Sequence, residues 1–143
     1  MTLTLDKAQK IVARALERGR ELDLKPLCVA VLDARGAMKA FAAEDDTSLR
    51  RGEIAHGKAY GSLALGLGSR AIHRRAEEQS YFIASVTHAA GGALVPVPGG
   101  VLIRNTAGEL VGAVGVSGDV SDNDEAVALA GIEAVGFTGD TGG

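Results

Sequence analysis

The chain has 143 residues, 46% hydrophobic and 23% charged, which suits one globular core and leaves no room for a second domain of ordinary size. A net charge of −3 and the lack of a basic stripe exclude a nucleic-acid binder, which needs a cationic face to displace counterions. Apolar runs are broken by Gly, Asp or Arg well short of the roughly 20 residues of a membrane helix, and the start Met1-Thr2-Leu3-Thr4-Leu5-Asp6 has no basic-then-apolar leader pattern. The expectation is a cytoplasmic protein with no membrane partner. With only 3% aromatics and 20 glycines, the core must be built from Val, Leu, Ile and Ala with backbones closely apposed.

Leu5, Ala8, Val12, Ala15, Leu16 and Gly19 recur at helical spacing, with charged residues between them, so an amphipathic helix opens the chain behind Thr4 as N-cap. Leu27 to Leu32 reads as a strand carrying Cys28, the only cysteine, as a small core residue. Asp33-Ala34-Arg35-Gly36 then forms a turn into Ala37–Ala42. Asn105-Thr106-Ala107-Gly108 repeats that form between Val101–Arg104 and Glu109–Val116. In both, an Asx residue opens the turn and a glycine closes it, a hairpin signal.

Between the hairpins, Leu49–Leu67, Ser69–Glu78 and Ser80–Ala90 read as helices, and Arg70, His73, Arg74 and Arg75 as a solvated helix face. Ser121 with an acid three residues on resembles a capping box opening a last helix that runs to about Val135. The predicted order is α-ββ-ααα-ββ-α, an α+β fold with an antiparallel sheet of four to five strands. The domain is expected over 1–137, and 138–143 as a flexible C-terminal tail.

Chemistry concentrates on the helix after Ser48. Gly57, Gly61, Ala64 and Gly68 lie on one face, nearly bare backbone that another helix, another subunit or a flat ligand can approach. Each interior glycine costs on the order of 1 kcal/mol against alanine. Glu53, His56 and Tyr60 share another face, and Lys58 borders the stripe. Lys58 reads either as a solvated lysine or as a pocket amine that binds a carboxylate or moves protons. The catalytic candidates are therefore Lys58, His56 and Glu53. Pro96 and Pro98 hold Gly91–Val101 extended, and Gly99-Gly100 permits a bend or a bare backbone beside a ligand. No phosphate loop, dinucleotide fingerprint or nucleophile elbow is present. His56, His73 and His88 lack zinc spacing, so no metal is expected; a single axial haem ligand, His56 or His88, needs no such spacing.

Several segments together resemble the GlcG/HbpS-like family, which includes domains appended to some cobalamin adenosyltransferases. They are Val29–Asp33 with Gly36, Ile54-Ala55, Lys58-Ala59, Leu94–Gly100, Gly112–Gly118, and Asp124-Glu125 with Ala130-Gly131. The resemblance implies a profilin-like domain that forms homo-oligomers. It also implies a cleft between the Lys58 helix and Gly99-Gly100 where some members are thought to hold haem. On that basis the expected ligand-binding residues are Arg51, His56, Lys58, Tyr60, Gly99, Gly100 and Val101. The expected function is binding of a small molecule, haem or another flat anionic ligand. The alternatives are a cofactor-independent enzyme on a small organic acid, with Arg51 and Lys58 holding its carboxylate, and an oligomeric accessory subunit.

Overall fold

A computed structural model describes residues 1–143. The order is α1 (Leu5–Glu21), β1 (Cys28–Asp33), β2 (Met38–Ala43), α2 (Arg51–Leu65), α3 (Ser69–Glu78), α4 (Ser80–Ala89), β3 (Gly100–Arg104), β4 (Leu110–Ser117), α5 (Ser121–Ala134) and β5 (Thr138–Asp140). The five strands form one sheet in the order β2-β1-β4-β3-β5, with every neighbouring pair antiparallel. The fold is α+β. Both hairpins turn as their sequences require. Asp33 accepts the Arg35 and Ala37 N–H groups, Asn105 accepts those of Ala107 and Glu109, and Gly36 and Gly108 supply positive φ.

Strand alternation sends Val29, Val31, Val101, Ile103, Val114 and Val116 to one face, where they form a single core with Ala8, Ile11 and Ala15 of α1 and Val127, Ala128 and Ile132 of α5. The opposite face carries Cys28, Ala30, Leu32, Leu102 and Ala113 under Ala55 and Ala59 of α2. Two glycines paired across β3 and β4, Gly100 and Gly115, complete this surface. A Cβ on Gly100 would collide with the Lys58 carbonyl, and one on Gly115 with the Ala55 carbonyl. Helix α2 thus lies directly on sheet backbone, the close apposition that a ring-poor composition requires.

Three expectations change. Thr138–Asp140, expected within a flexible tail, pair with β3 as a fifth strand, tied by Arg104 to Asp140 at 3.1 Å. A chain-terminal run of small residues carries no local strand signal, because its structure comes from the unpaired edge of β3. The capping box at Ser121 does not form: Val120 is the N-cap residue and no side chain caps the helix, since the Asp124 carboxylate is engaged elsewhere. Arg70 is not simply solvated. It bridges α3 to α5 through Asp122 at 2.6 Å and Glu125 at 3.0 Å, and these two carboxylates, Glu125 foremost, hold its pKa above the ordinary value.

Candidate functional site

Helix α2 carries most of the sequence-nominated residues, and the fold divides them between two environments. Arg51, Ala55, Lys58 and Ser62 recur at helical spacing on its inward side. Lys58 is 2% exposed. Its Nζ donates to the Val116 carbonyl at 2.9 Å and to Asp124 Oδ2 at 3.0 Å, while Asp124 Oδ1 accepts the Asp119 N–H at 3.0 Å. One ammonium therefore joins α2, the end of β4 and the start of α5. Burial pushes the Lys58 ammonium below its ordinary pKa, with Asp124 pulling the other way and Arg51 adding to the fall. Burial likewise raises the Asp124 carboxyl against the pull of Lys58.

The Gly99-Gly100 segment closes over this pair. Gly99, at φ +122°, leaves room for Lys58: a Cβ there would stand 2.9 Å from Lys58 Nζ and 2.7 Å from the Val116 carbonyl oxygen. The Gly100 N–H donates to Ser69 Oγ at 2.7 Å. Ser62 Oγ donates to the Lys58 carbonyl at 2.7 Å, and Arg51 Nη1 donates to Ser117 Oγ at 3.2 Å. No buried side-chain nitrogen or oxygen lacks a partner. Where the resemblance implied a cleft, helix and strand backbone are in contact. Val101 is fully buried in the α1/α5 core, on the opposite side of the sheet from Lys58. The glycine stripe is also covered: Gly57 and Gly61 lie against Val95 and Leu94, with Cβ positions 2.7 and 2.8 Å from those side chains.

The other side of α2 is open. Gly52, Glu53 and His56 face the edge strand β2 across a groove of about 460 Å³, whose remaining lining residues are Met38, Phe41 and Leu49. Those three are among the exposed large hydrophobics of the chain, at 49%, 45% and 89%. Such apolar exposure in one place marks a binding surface. The His56 ring stacks on Tyr60 with centroids 5.5 Å apart, and Glu53 pairs with Arg50 at the rim at 2.6 Å. Neither His56 nitrogen has a hydrogen-bond partner within the protein. The neutral imidazole thus has one nitrogen lone pair and one N–H unengaged beside an apolar floor. On the buried face, by contrast, every buried side-chain nitrogen and oxygen is engaged within the protein.

Sequence spacing correctly put Glu53, His56 and Tyr60 on one face, yet it separated them from Lys58 only by helix angle and did not show which face was covered. It missed Met38, Phe41 and Leu49. The available signal was Phe41, one of three phenylalanines, on a strand later seen to be an edge. The catalytic candidates do not converge, because Lys58 points into the protein while His56 and Glu53 point out.

A family model described as haem-degrading protein HbpS-like matches residues 3–133. The chain belongs to the HbpS-like family. Solved structures agree on the HbpS-like architecture. The crystal structure of a PduOC:heme complex is 23% identical, with 96% of this chain and 97% of that chain covered and a TM-score of 0.84. Klebsiella pneumoniae protein ORFY is 22% identical, with coverages of 93% and 90% and a TM-score of 0.82. A double mutant of Streptomyces reticuli HbpS is 24% identical, with coverages of 94% and 88% and a TM-score of 0.79. At such identities the likeness carries the fold. No curated protein matches the chain. No helix is long and apolar enough to cross a membrane.

Proposed function

We propose that this protein binds a flat, largely apolar small molecule with an anionic edge, haem being the ligand class the site fits, in the groove between α2 and β2. The observation that carries the reading is His56, both nitrogens uncommitted, in a groove with Met38, Phe41 and Leu49. Were haem to bind there, Met38, Phe41 and Leu49 would meet its apolar face and His56 would offer a nitrogen to its iron. Arg50, paired with Glu53 at the rim, is the positive charge that a carboxylate at the ligand edge would meet. Membership of the HbpS-like family and the fold likeness to a PduOC:heme complex support the same ligand class. A groove this open covers one side of a flat ligand. The exposed Leu49 and the free edge of β2 support self-association as the means of covering more.

Titration with hemin tests the reading. A saturable Soret shift at one site per chain, abolished in His56→Ala, is expected; a featureless, non-saturating spectrum would reject it. Size-exclusion chromatography with light scattering, with and without hemin, checks the self-association.

A further inference from the structure

A second cavity, of about 440 Å³, opens at the hairpin-turn end of the sheet and shares no lining residue with the α2/β2 groove. Its size falls in the range of roughly 300–1,000 Å³ that small-molecule sites occupy. Both Asx turns reach it, because β1 and β4 are neighbours and Asp33, the last residue of β1, stands opposite Gly112 near the start of β4. Leu3 supplies a buried apolar wall, lying on β4 where a Cβ on Gly112 would sit 2.9 Å from Leu3 Cδ2. Asn105, 4% exposed, fixes that wall in place. Its Nδ2 donates to the Met1 carbonyl at 2.9 Å and to Glu109 Oε1 at 2.9 Å, while its Oδ1 holds the second turn.

Two irregularities of the sheet converge on this cavity. In β2, Met38 stands opposite Leu32 and Ala40 opposite Val31, so Lys39 is an extra residue; the same bulge returns Met38 to the face held by Phe41. In β4, Leu110 stands opposite Arg104 and Gly112 opposite Ile103, so Val111 is an extra residue. These strands flank β1 on either side, and both extra residues line the cavity. Bulges re-aim side chains and are enriched beside functional sites. Here two of them, on different strands, turn a cation and an apolar side chain to one place.

The charged side chains of the lining fall into a closed pair and an open one. Asp33 Oδ2 accepts from Arg35 Nη2 at 3.1 Å and Oδ1 from the Arg35 and Ala37 N–H groups, so that pair is satisfied. Lys39, half-buried, takes part in no ion pair or hydrogen bond within the protein. Glu109 accepts from the neutral Asn105 amide through Oε1 and has Oε2 free. A cation and an anion that line one cavity without pairing are complementary to a molecule that carries both charges. An anion alone would leave Glu109 opposed to it, and a cation alone would leave Lys39 so.

We propose that this cavity is a second small-molecule site, for a zwitterion with a short apolar body, the class of the branched α-amino acids. Lys39 takes the carboxylate, Glu109 the ammonium, and Leu3 and Val111 the hydrocarbon. Binding here is non-covalent and does not depend on the haem reading.

The test is an NMR titration of the full chain with leucine, and in parallel with isocaproate, which lacks the ammonium, and isoamylamine, which lacks the carboxylate. Leucine should shift the backbone amides of Leu3, Lys39 and Val111 saturably, and each analogue should bind about tenfold more weakly or worse, as the loss of one charge-assisted contact implies. Lys39→Met keeps the hydrocarbon stem, so it should keep its circular dichroism and lose leucine binding. Glu109→Gln keeps an oxygen for Asn105 and should weaken leucine without weakening isocaproate. No saturable shift with leucine overturns the site. Isocaproate bound as tightly as leucine, or leucine bound unchanged by a folded Lys39→Met, overturns the zwitterion assignment.

Discussion

The inward and outward sides of α2 are built from the same fifteen-residue helix and have opposite chemistry. Inward, Lys58 is enclosed by Asp124, the Val116 carbonyl and Gly99, and each polar atom has found its partner. Outward, His56 has partners only in ring stacking, and apolar side chains remain in water beside it. The inward set is saturated and therefore structural; the outward set is unsatisfied and therefore available. A residue type that suggests catalysis, a lysine of depressed pKa, is here spent on holding three elements together. The residues that can receive a ligand are those whose interactions are incomplete.

Substitutions should separate the two sides by what they change. The largest effect is expected from Lys58→Ala, which leaves the Asp124 carboxylate buried without its cation. Removal of one partner of a buried ion pair costs about 3–5 kcal/mol, read from the midpoint of denaturant unfolding. The paired replacement Lys58→Met with Asp124→Leu should recover most of that loss. If Lys58→Ala melts within about 1 kcal/mol of the parent chain, the ammonium is not the staple described.

Next comes Gly61→Ala, whose new methyl would meet Leu94 Cγ at 2.8 Å and Leu94 Cα at 3.1 Å. Overpacking against the 94–95 segment should cost about 1–3 kcal/mol. A neutral or stabilising effect, as expected for Gly→Ala in an uncrowded helix, would show that the stripe is open.

Smaller again is a pH effect near the inward pair. The backbone N–H of Lys25 first, then the Asn123 side chain and the Val120 N–H, hold the Asp119 carboxyl below its ordinary pKa. A carboxylate depressed in the folded state contributes stability above its unfolded pKa and loses it as pH falls through the folded one. Asp119→Asn should therefore lower stability at neutral pH by less than about 1 kcal/mol and flatten the acid limb of the stability profile. An acid limb identical to that of the parent would exclude this contribution.

Much of this was legible locally. The Asx-to-Gly turns, the amphipathic α1 and the element order follow from rules that act within a few residues. What was not legible acts over long separations. Asp124 looked like a capping acid because it stands at a helix start, yet its partner Lys58 is 66 residues away. Arg70 read as part of a solvated helix face, yet it pairs with Glu125, 55 positions on. The strand at Thr138–Asp140 exists only because β3 offers an edge. For the site, helical spacing gathered Glu53, His56 and Tyr60. Met38 and Phe41 joined them only through a bulge, and the covered side of α2 was fixed by sheet glycines that no local pattern connects to it.

The most direct test is to measure hemin affinity and thermal midpoint together for the parent chain, His56→Ala and the Lys58→Met, Asp124→Leu double variant. The outward site predicts that His56→Ala keeps its melting temperature and loses saturable binding, while the double variant, once folded, binds as the parent does. Binding kept by His56→Ala and lost by a folded double variant would put the site on the inward side and contradict this account.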